Sequence, residues 1–495
     1  MTAVLAYPLP TIIQGGMGIG VSNWTLARAV SLRGQLGVVS GTCIDSLFIR
    51  RLQDGDIGGH LRRAMERFPI PEVSADALKK YFLPGGRPED APYKMLSMWR
   101  QTVSRAREQI TMLASFVEVQ LAKEGHDGLV GINLLTKVQM PNLATLYGAM
   151  LAGVDYVLMG AGIPQEIPGV LDAFAVGDTA AMKLYVEGQP RGEVSELRFE
   201  PAAHFGGMAP VLKRPQFLPI ISAHSLATML VRKASGRVDG FVIEGPTAGG
   251  HNAPPRGRLE IDAQGEPVYG ARDQCDLAEM RKLGLPFWLA GGTATPEQVN
   301  AALAEGAAGV QVGTLFALCE DSGIAPAYRA SVIEKVKRGE AEVRTDVRAS
   351  PTGFPFKVVS LEGTNSEQQL YEQRERVCDL GYLREAYRRE DGRLDYRCAA
   401  EPVDTYLKKG GLIEDTVGRK CLCNGLMANI GHAQLRADGE ERAVLTSGSD
   451  MTAVERLLAE RSAYSAGEVV DFLMSKVPVR VRHPFRSARR DLVAV

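Results

Sequence analysis

The chain has 495 residues, with 57 Lys and Arg set against 58 Asp and Glu for a formal charge of −1, so no global basic field exists to attract nucleic acid or an anionic membrane surface. Hydrophobic residues make up 45 % and charged residues 23 %, an ordinary globular balance that excludes wholesale disorder. Seven cysteines exclude a disulfide scaffold and favour reduced thiols. No long apolar run marks a membrane span, and Met1–Pro8 lacks the basic start of a secretory leader, so a cytoplasmic location is expected.

From the N-terminus, the apolar run Thr11–Gly16 predicts a first strand, followed by a helix over Asn23–Arg33 behind a Ser-Asn cap signal. A second strand is predicted at Leu36–Gly41. The insert Thr42–Gly128 follows, read as an irregular Pro/Gly-rich part (Phe68–Tyr93) and a long amphipathic helix near Ser97–Lys123. Strands at Leu129–Thr136 and Val154–Gly162 flank a helix over Pro141–Ala152, and Ala180–Leu212 reads as a hairpin or loop. The remaining strands are Phe217–His224, Val238–Gly245, Pro286–Gly292 and Gly309–Phe316, with a helix over Pro296–Gly306. Continuous apolar character, without period-2 alternation, is what a parallel strand buried on both faces shows. Eight such strand–helix units in series predict an α/β fold, a closed (β/α)8 or TIM barrel over residues 1–325 that carries the 42–128 insert. Residues 326–495 are expected to form a mainly helical extension or lid beside the barrel mouth, with helical stretches at Glu367–Arg389 and Thr452–Ala459.

In such a barrel, ligands are met at the C-terminal ends of the strands. Those ends are rich in glycine here: Gly15-Gly16-Met17-Gly18, Gly160-Ala161-Gly162, Gly249-Gly250, Gly291-Gly292-Thr293 and Gly313-Thr314. Without a Cβ, backbone N–H groups can approach a ligand closely, and barrels often hold phosphate after the seventh and eighth strands. Gly291, Gly292, Thr293, Gly313 and Thr314 are therefore the phosphate candidates. A dinucleotide fingerprint at Gly16-Met17-Gly18-Ile19-Gly20 is the weaker reading: Val21 stands where the third glycine belongs, and the second strand ends at Ser40-Gly41-Thr42 without an acid for a ribose. His251 follows Gly249-Gly250 at the end of the sixth strand, where an imidazole suits proton transfer near neutral pH. His224, ending the fifth strand, is a candidate to line a cofactor.

Taken in order, Ile12-Ile13-Gln14-Gly15-Gly16-Met17-Gly18, Gly131-Ile132-Asn133, Glu244 through His251, Ala290-Gly291-Gly292-Thr293-Ala294 and Gly309 through Phe316 resemble the nitronate monooxygenase (2-nitropropane dioxygenase) family, which includes flavin-dependent enoyl-acyl-carrier-protein reductases. The resemblance covers roughly residues 8–320, apart from the long insert. It implies an FMN-binding barrel and a flavin-dependent oxidoreductase. Gln14, Gly15, Gly16 and Met17 would sit near the flavin ring, and Asn133 would hydrogen-bond its polar edge. Gly160 and His224 would border the cofactor, Gly249 and Gly250 would flank the ring or ribityl chain, and His251 would be the catalytic histidine. Two reactions stay open: oxidation of an alkyl nitronate by O2, the leading one, and NAD(P)H-driven reduction of an enoyl thioester. The expected partners are accordingly a small molecule or acyl thioester with O2 or NAD(P)H, no nucleic acid and no membrane, and a homodimer is a candidate assembly. In the extension, Cys378, Cys398, Cys421 and Cys423 read as reduced structural thiols, since no Cys-x2-Cys pair occurs; a tetrathiolate zinc site is the open alternative and no metal is expected.

Overall fold

The computed structural model describes residues 9–459 and 461–478. Met1–Pro8, with its leader reading, and the last part of the 326–495 extension lie outside the described residues. Eight parallel strands form the barrel: β1 (Ile12–Gln14), β2 (Gly37–Ser40), β3 (Val130–Leu135), β4 (Tyr156–Gly160), β5 (Gln216–Ile221), β6 (Phe241–Glu244), β7 (Phe287–Ala290) and β8 (Gly309–Val312). Each neighbour in chain order pairs with the next, β8 pairs with β1, and the ring closes where Leu36 bridges Ile13. Leu36 donates to the Ile12 carbonyl at 3.1 Å and accepts from the Gln14 amide at 2.9 Å.

The period of two explains the double burial. Ile13, Val38, Leu158, Leu218, Val242 and Trp288 point inward and fill the barrel as a packed core. Their neighbours Ile12, Val39, Val157, Phe217, Phe241 and Phe287 point outward under the helices. The Trp288 indole N–H finds the Pro10 carbonyl at 2.7 Å, which lets a large amphipathic side chain sit wholly inside.

Helix starts follow local chemistry. Asn23 caps Trp24–Leu32 by accepting from the Leu26 amide at 2.9 Å, and Thr295 and Gln298 form a reciprocal capping box ahead of Pro296–Ala304. In the first insert, Phe68–Tyr93 is not irregular throughout: Pro71–Tyr81 is a helix with Pro at its first position, where the missing N–H costs nothing. The long helix begins at Arg105 rather than near Ser97, because Ser104 caps it by accepting from the Arg107 amide. It runs to Ala122 and takes the place of the barrel helix between β2 and β3.

Residues Ala180–Leu184 and Ser195–Phe199 pair as the expected hairpin. The extension holds helices at Pro326–Arg338, Leu422–Asn429, Thr452–Leu458 and Ala466–Met474 alongside short antiparallel hairpins. The helix expected over Glu367–Arg389 is confined to Gln368–Gln373, and Glu385–Arg388 instead pairs antiparallel with Leu394–Arg397. The turn between them carries Gly392 at φ +80°, a conformation that a helix does not tolerate.

A buried ion pair inside the first insert reaches the extension through the Tyr382 hydroxyl. Asp45 accepts from Arg107 and Thr111 at 2.7 Å each, and from the Tyr382 hydroxyl. Burial pushes the Asp45 carboxyl up, but Arg107 together with the Tyr382 and Thr111 hydrogen bonds outweighs it and leaves the group below its ordinary value. Among the described residues no helix is long and apolar enough to cross a membrane.

Candidate functional site

The C-terminal ends of the strands open into one cavity of about 1360 Å³ with its mouth included. Gly15, Gly16 and Met17 after β1, Asn133 on β3 and Gly160 on β4 form one side. Gly249, Gly250 and His251 after β6, Gly291, Gly292 and Thr293 after β7, and Gly313 and Thr314 after β8 form the other. All these sequence-predicted residues are thus brought together. The glycines have specific geometric work: Gly291 and Gly292 sit at φ +86° and +67°, in the left-handed region that other residues avoid. A Cβ on Gly249 would lie 2.7 Å from the Ser447 backbone, so a side chain there would collide with the roof.

Two predicted residues do not line the cavity. Gln14 turns inward instead, its amide donating to Ser22 Oγ at 2.8 Å and its carbonyl accepting from the Val38 amide at 2.9 Å, so it clamps β1 to β2 beneath the mouth. His224 opens the helix His224–Lys233 outside the cavity wall, its Nδ1 buried and without a partner among the described residues.

The roof comes from the extension: Phe356, Leu426, Thr446, Ser447, Gly448 and Asp450 line the same cavity. The Gly448 amide donates to Thr314 Oγ1 at 3.0 Å and the Ser449 amide to the Thr247 carbonyl at 3.1 Å, joining roof to barrel rim. Sequence reasoning missed these residues. It also missed Glu244 and Gln311, although a polar residue inside the apolar runs Phe241–Glu244 and Gly309–Val312 is a detectable signal.

The cavity's electrostatics depart from those of exposed groups. Burial pushes the Glu244 carboxyl up to about 8 and the His251 imidazole down to about 4, favouring the uncharged form of each. His251 Nε2 lies 2.7 Å from Ser350 Oγ, and its ring packs edge-on against Phe356 with centroids 4.8 Å apart. Gln311 lines the cavity, while its Oε1 is buried without a hydrogen-bond partner among the described residues. No Lys or Arg is among the described residues that line it.

Cys378, Cys398, Cys421 and Cys423 do gather, around a separate small cavity of about 290 Å³. Among the described residues, however, no three His, Cys, Asp or Glu side chains are arranged to hold a metal ion.

A glycine-walled barrel mouth with one imidazole defines a ligand-binding (β/α)8 protein. The sequence profile of the nitronate monooxygenase family matches residues 204–462, more than half of the chain, and the chain belongs to that family. It is 30 % identical over 198 residues to a nitronate monooxygenase of Paraburkholderia phytofirmans, covering 39 % of this chain and 48 % of the relative. A nitronate monooxygenase of Pseudomonas aeruginosa is 34 % identical over 115 residues, covering 23 % of this chain and 30 % of the relative. The chain thus matches less than half the length of these curated relatives. Among solved structures, FabK of Thermotoga maritima superposes with a TM-score of 0.44 at 15 % identity, covering 95 % of this chain and 93 % of that one. A nitroalkane oxidase of Streptomyces ansochromogenes does so with 0.44 at 16 %, covering 95 % and 96 %.

Proposed function

We propose that this protein is an FMN-dependent oxidoreductase that oxidises alkyl nitronates with O2 to a carbonyl compound and nitrite. The observation that carries the reading is the His251 imidazole on the cavity lining, its Nε2 held 2.7 Å from Ser350 Oγ, with a buried acid, Glu244, on the same lining. Burial favours the uncharged forms of Glu244 and His251, which can donate hydrogen bonds to an anionic nitronate, and the other carboxyl of the lining, Asp450, comes from the roof. The names of the curated relatives support the same substrate class.

The lining suits FMN on two counts. Glycine paving after β7 and β8 leaves main-chain room for a phosphate, so Gly291, Gly292, Thr293, Gly313 and Thr314 would hold it. Gly15, Gly16, Met17, Asn133 and Gly160, largely main chain that a planar ring can approach, would border the ring. When bound, FMN supplies the electron transfer from substrate to O2. The chain's own part is binding and orientation. His251, held through Nε2, would present Nδ1–H to a nitro oxygen, and Phe356 and Leu426 would shield the reacting carbon from water.

Reduction of an enoyl thioester with NAD(P)H is the second reading. It draws support from the apolar side chains of Leu135, Phe356 and Leu426 on the cavity lining, which suit an acyl chain. Anaerobic mixing of the FMN-loaded protein separates the two. Bleaching of the flavin by propyl-2-nitronate but not by NADPH supports the first. Bleaching by NADPH with recovery on adding a crotonyl thioester replaces it with the second. A flavin that neither reagent bleaches rejects both and leaves a flavin-binding accessory protein.

A further inference from the structure

The roof gives His251 a second chemical neighbour. Ser350 Oγ, 2.7 Å from Nε2, lies 2.8 Å from Thr352 Oγ1 and accepts from the Thr352 amide at 3.2 Å. Ser350 is fully buried, whereas Thr352 reaches solvent. The row imidazole, serine, threonine therefore runs from the cavity to the outside. Main-chain bonds hold it in place on both sides of the histidine: Lys357 N–H to the Gly250 carbonyl and Asn252 N–H to the Pro355 carbonyl, each at 2.9 Å. The Arg419 guanidinium fixes the serine from behind by donating to its carbonyl at 2.6 Å. No protein group among the described residues hydrogen-bonds Nδ1, which leaves that atom for a ligand.

We infer that Ser350 and Thr352 form a two-hydroxyl proton relay serving His251, an inference that rests on the reading of His251 as the group facing the reacting molecule. The transfer balances without an oxidant or reductant. As Nδ1 releases its proton to the substrate, Nε2 takes one from Ser350 Oγ, that oxygen takes one from Thr352 Oγ1, and solvent replenishes the threonine. Run backwards, the same chain carries away a proton that Nδ1 accepts. The ring is neutral before and after. That is the physical advantage, because burial resists an imidazolium here, as the fall of the ring's pKa to about 4 reflects, and a one-sided transfer would strand a charge in a poorly solvated wall. Glu244 and Asp450 face the same cavity, the Lys357 ammonium is turned to Thr345 Oγ1 at 2.6 Å, Arg419 donates to the Ser350 carbonyl, and the Lys137 ammonium lies over the Phe354 ring.

The test uses the FMN-loaded full chain and a substrate that requires a proton step. That substrate is 2-nitropropane, whose α-proton must be removed, or a crotonyl thioester with NADPH, whose α-carbon must gain one. Ser350→Ala is expected to keep its flavin spectrum and its KM but lose about 100-fold in kcat, the lower range for general acid–base catalysis. Ser350→Thr should restore most of it. Rates in mixed H2O and D2O should fall along a curve for the unaltered protein, showing more than one proton in flight, and along a straight line for Ser350→Ala. Unchanged kcat in Ser350→Ala while His251→Asn is inactive overturns the relay and leaves the histidine's role standing. Full activity in both variants removes the reading beneath it. If Ser350→Ala does not fold, Thr352→Val decides: a straight line supports the relay and a curve identical to that of the unaltered protein overturns it.

Discussion

The barrel and the C-terminal extension build the two sides of one cavity from different material. The barrel side is largely main chain, with glycines at the ends of β1, β4, β7 and β8, whereas the extension side is largely side chain, with Phe356, Leu426, Thr446 and Ser447. A main-chain wall suits an unvarying ligand that needs close approach, and a side-chain roof can change with the substrate while the wall stays fixed. On the proposed function, the difference would give cofactor holding to the barrel and selectivity to the extension.

The sharpest way to break that division is Gly292→Asp. A carboxylate placed at φ +67° in the wall should abolish flavin retention, read from the visible spectrum of the purified protein, whereas full retention would show that the wall is not the phosphate site. Next in size is His251→Asn, expected to keep flavin but lose about 10²–10⁴-fold in turnover by steady-state kinetics, the usual range for one acid–base group. Arg107→Met tests the buried pair inside the first insert. It leaves Asp45 buried without its cation, so urea unfolding should show a loss of about 3–5 kcal/mol, and a loss below ~1 kcal/mol would mean that the pair does not hold the insert together.

The smallest effect concerns pH. Glu244 has a folded pKa of about 8 against an ordinary 4.5, so the folded chain holds the proton more tightly than the unfolded one between these values. Stability from this group is fully present below 4.5 and is lost as pH rises through 8. Glu244→Gln should therefore flatten the decline of Tm across that window in the flavin-free protein. Parallel Tm curves for the two proteins would place the carboxyl in a solvated setting.

Much of the barrel could be read from the sequence because strands buried on both faces leave unbroken apolar runs, and all eight fall where those runs lie. Glycine clusters at their ends located the cavity for the same local reason. Gln14 shows the limit: the motif places it at the mouth, but which way a strand-end side chain turns depends on Ser22 and Val38 across the ring closure. In the extension, short hairpins with interleaved charges such as Glu385–Arg388 lack a decisive period, and helix was the wrong reading. Ser350 carries no sequence signal at all, because its meaning arises from contact with an imidazole 99 positions away.

The lack of basic side chains in the cavity lining has a practical outcome. On the proposed function, a phosphate held by main-chain amide and side-chain hydroxyl dipoles would meet no lysine or arginine among the described lining residues, so ionic strength would have little hold on it. Molar sodium chloride on a column should leave the protein yellow. Mild denaturant, which scatters those dipoles, should bleach it well before the barrel itself unfolds.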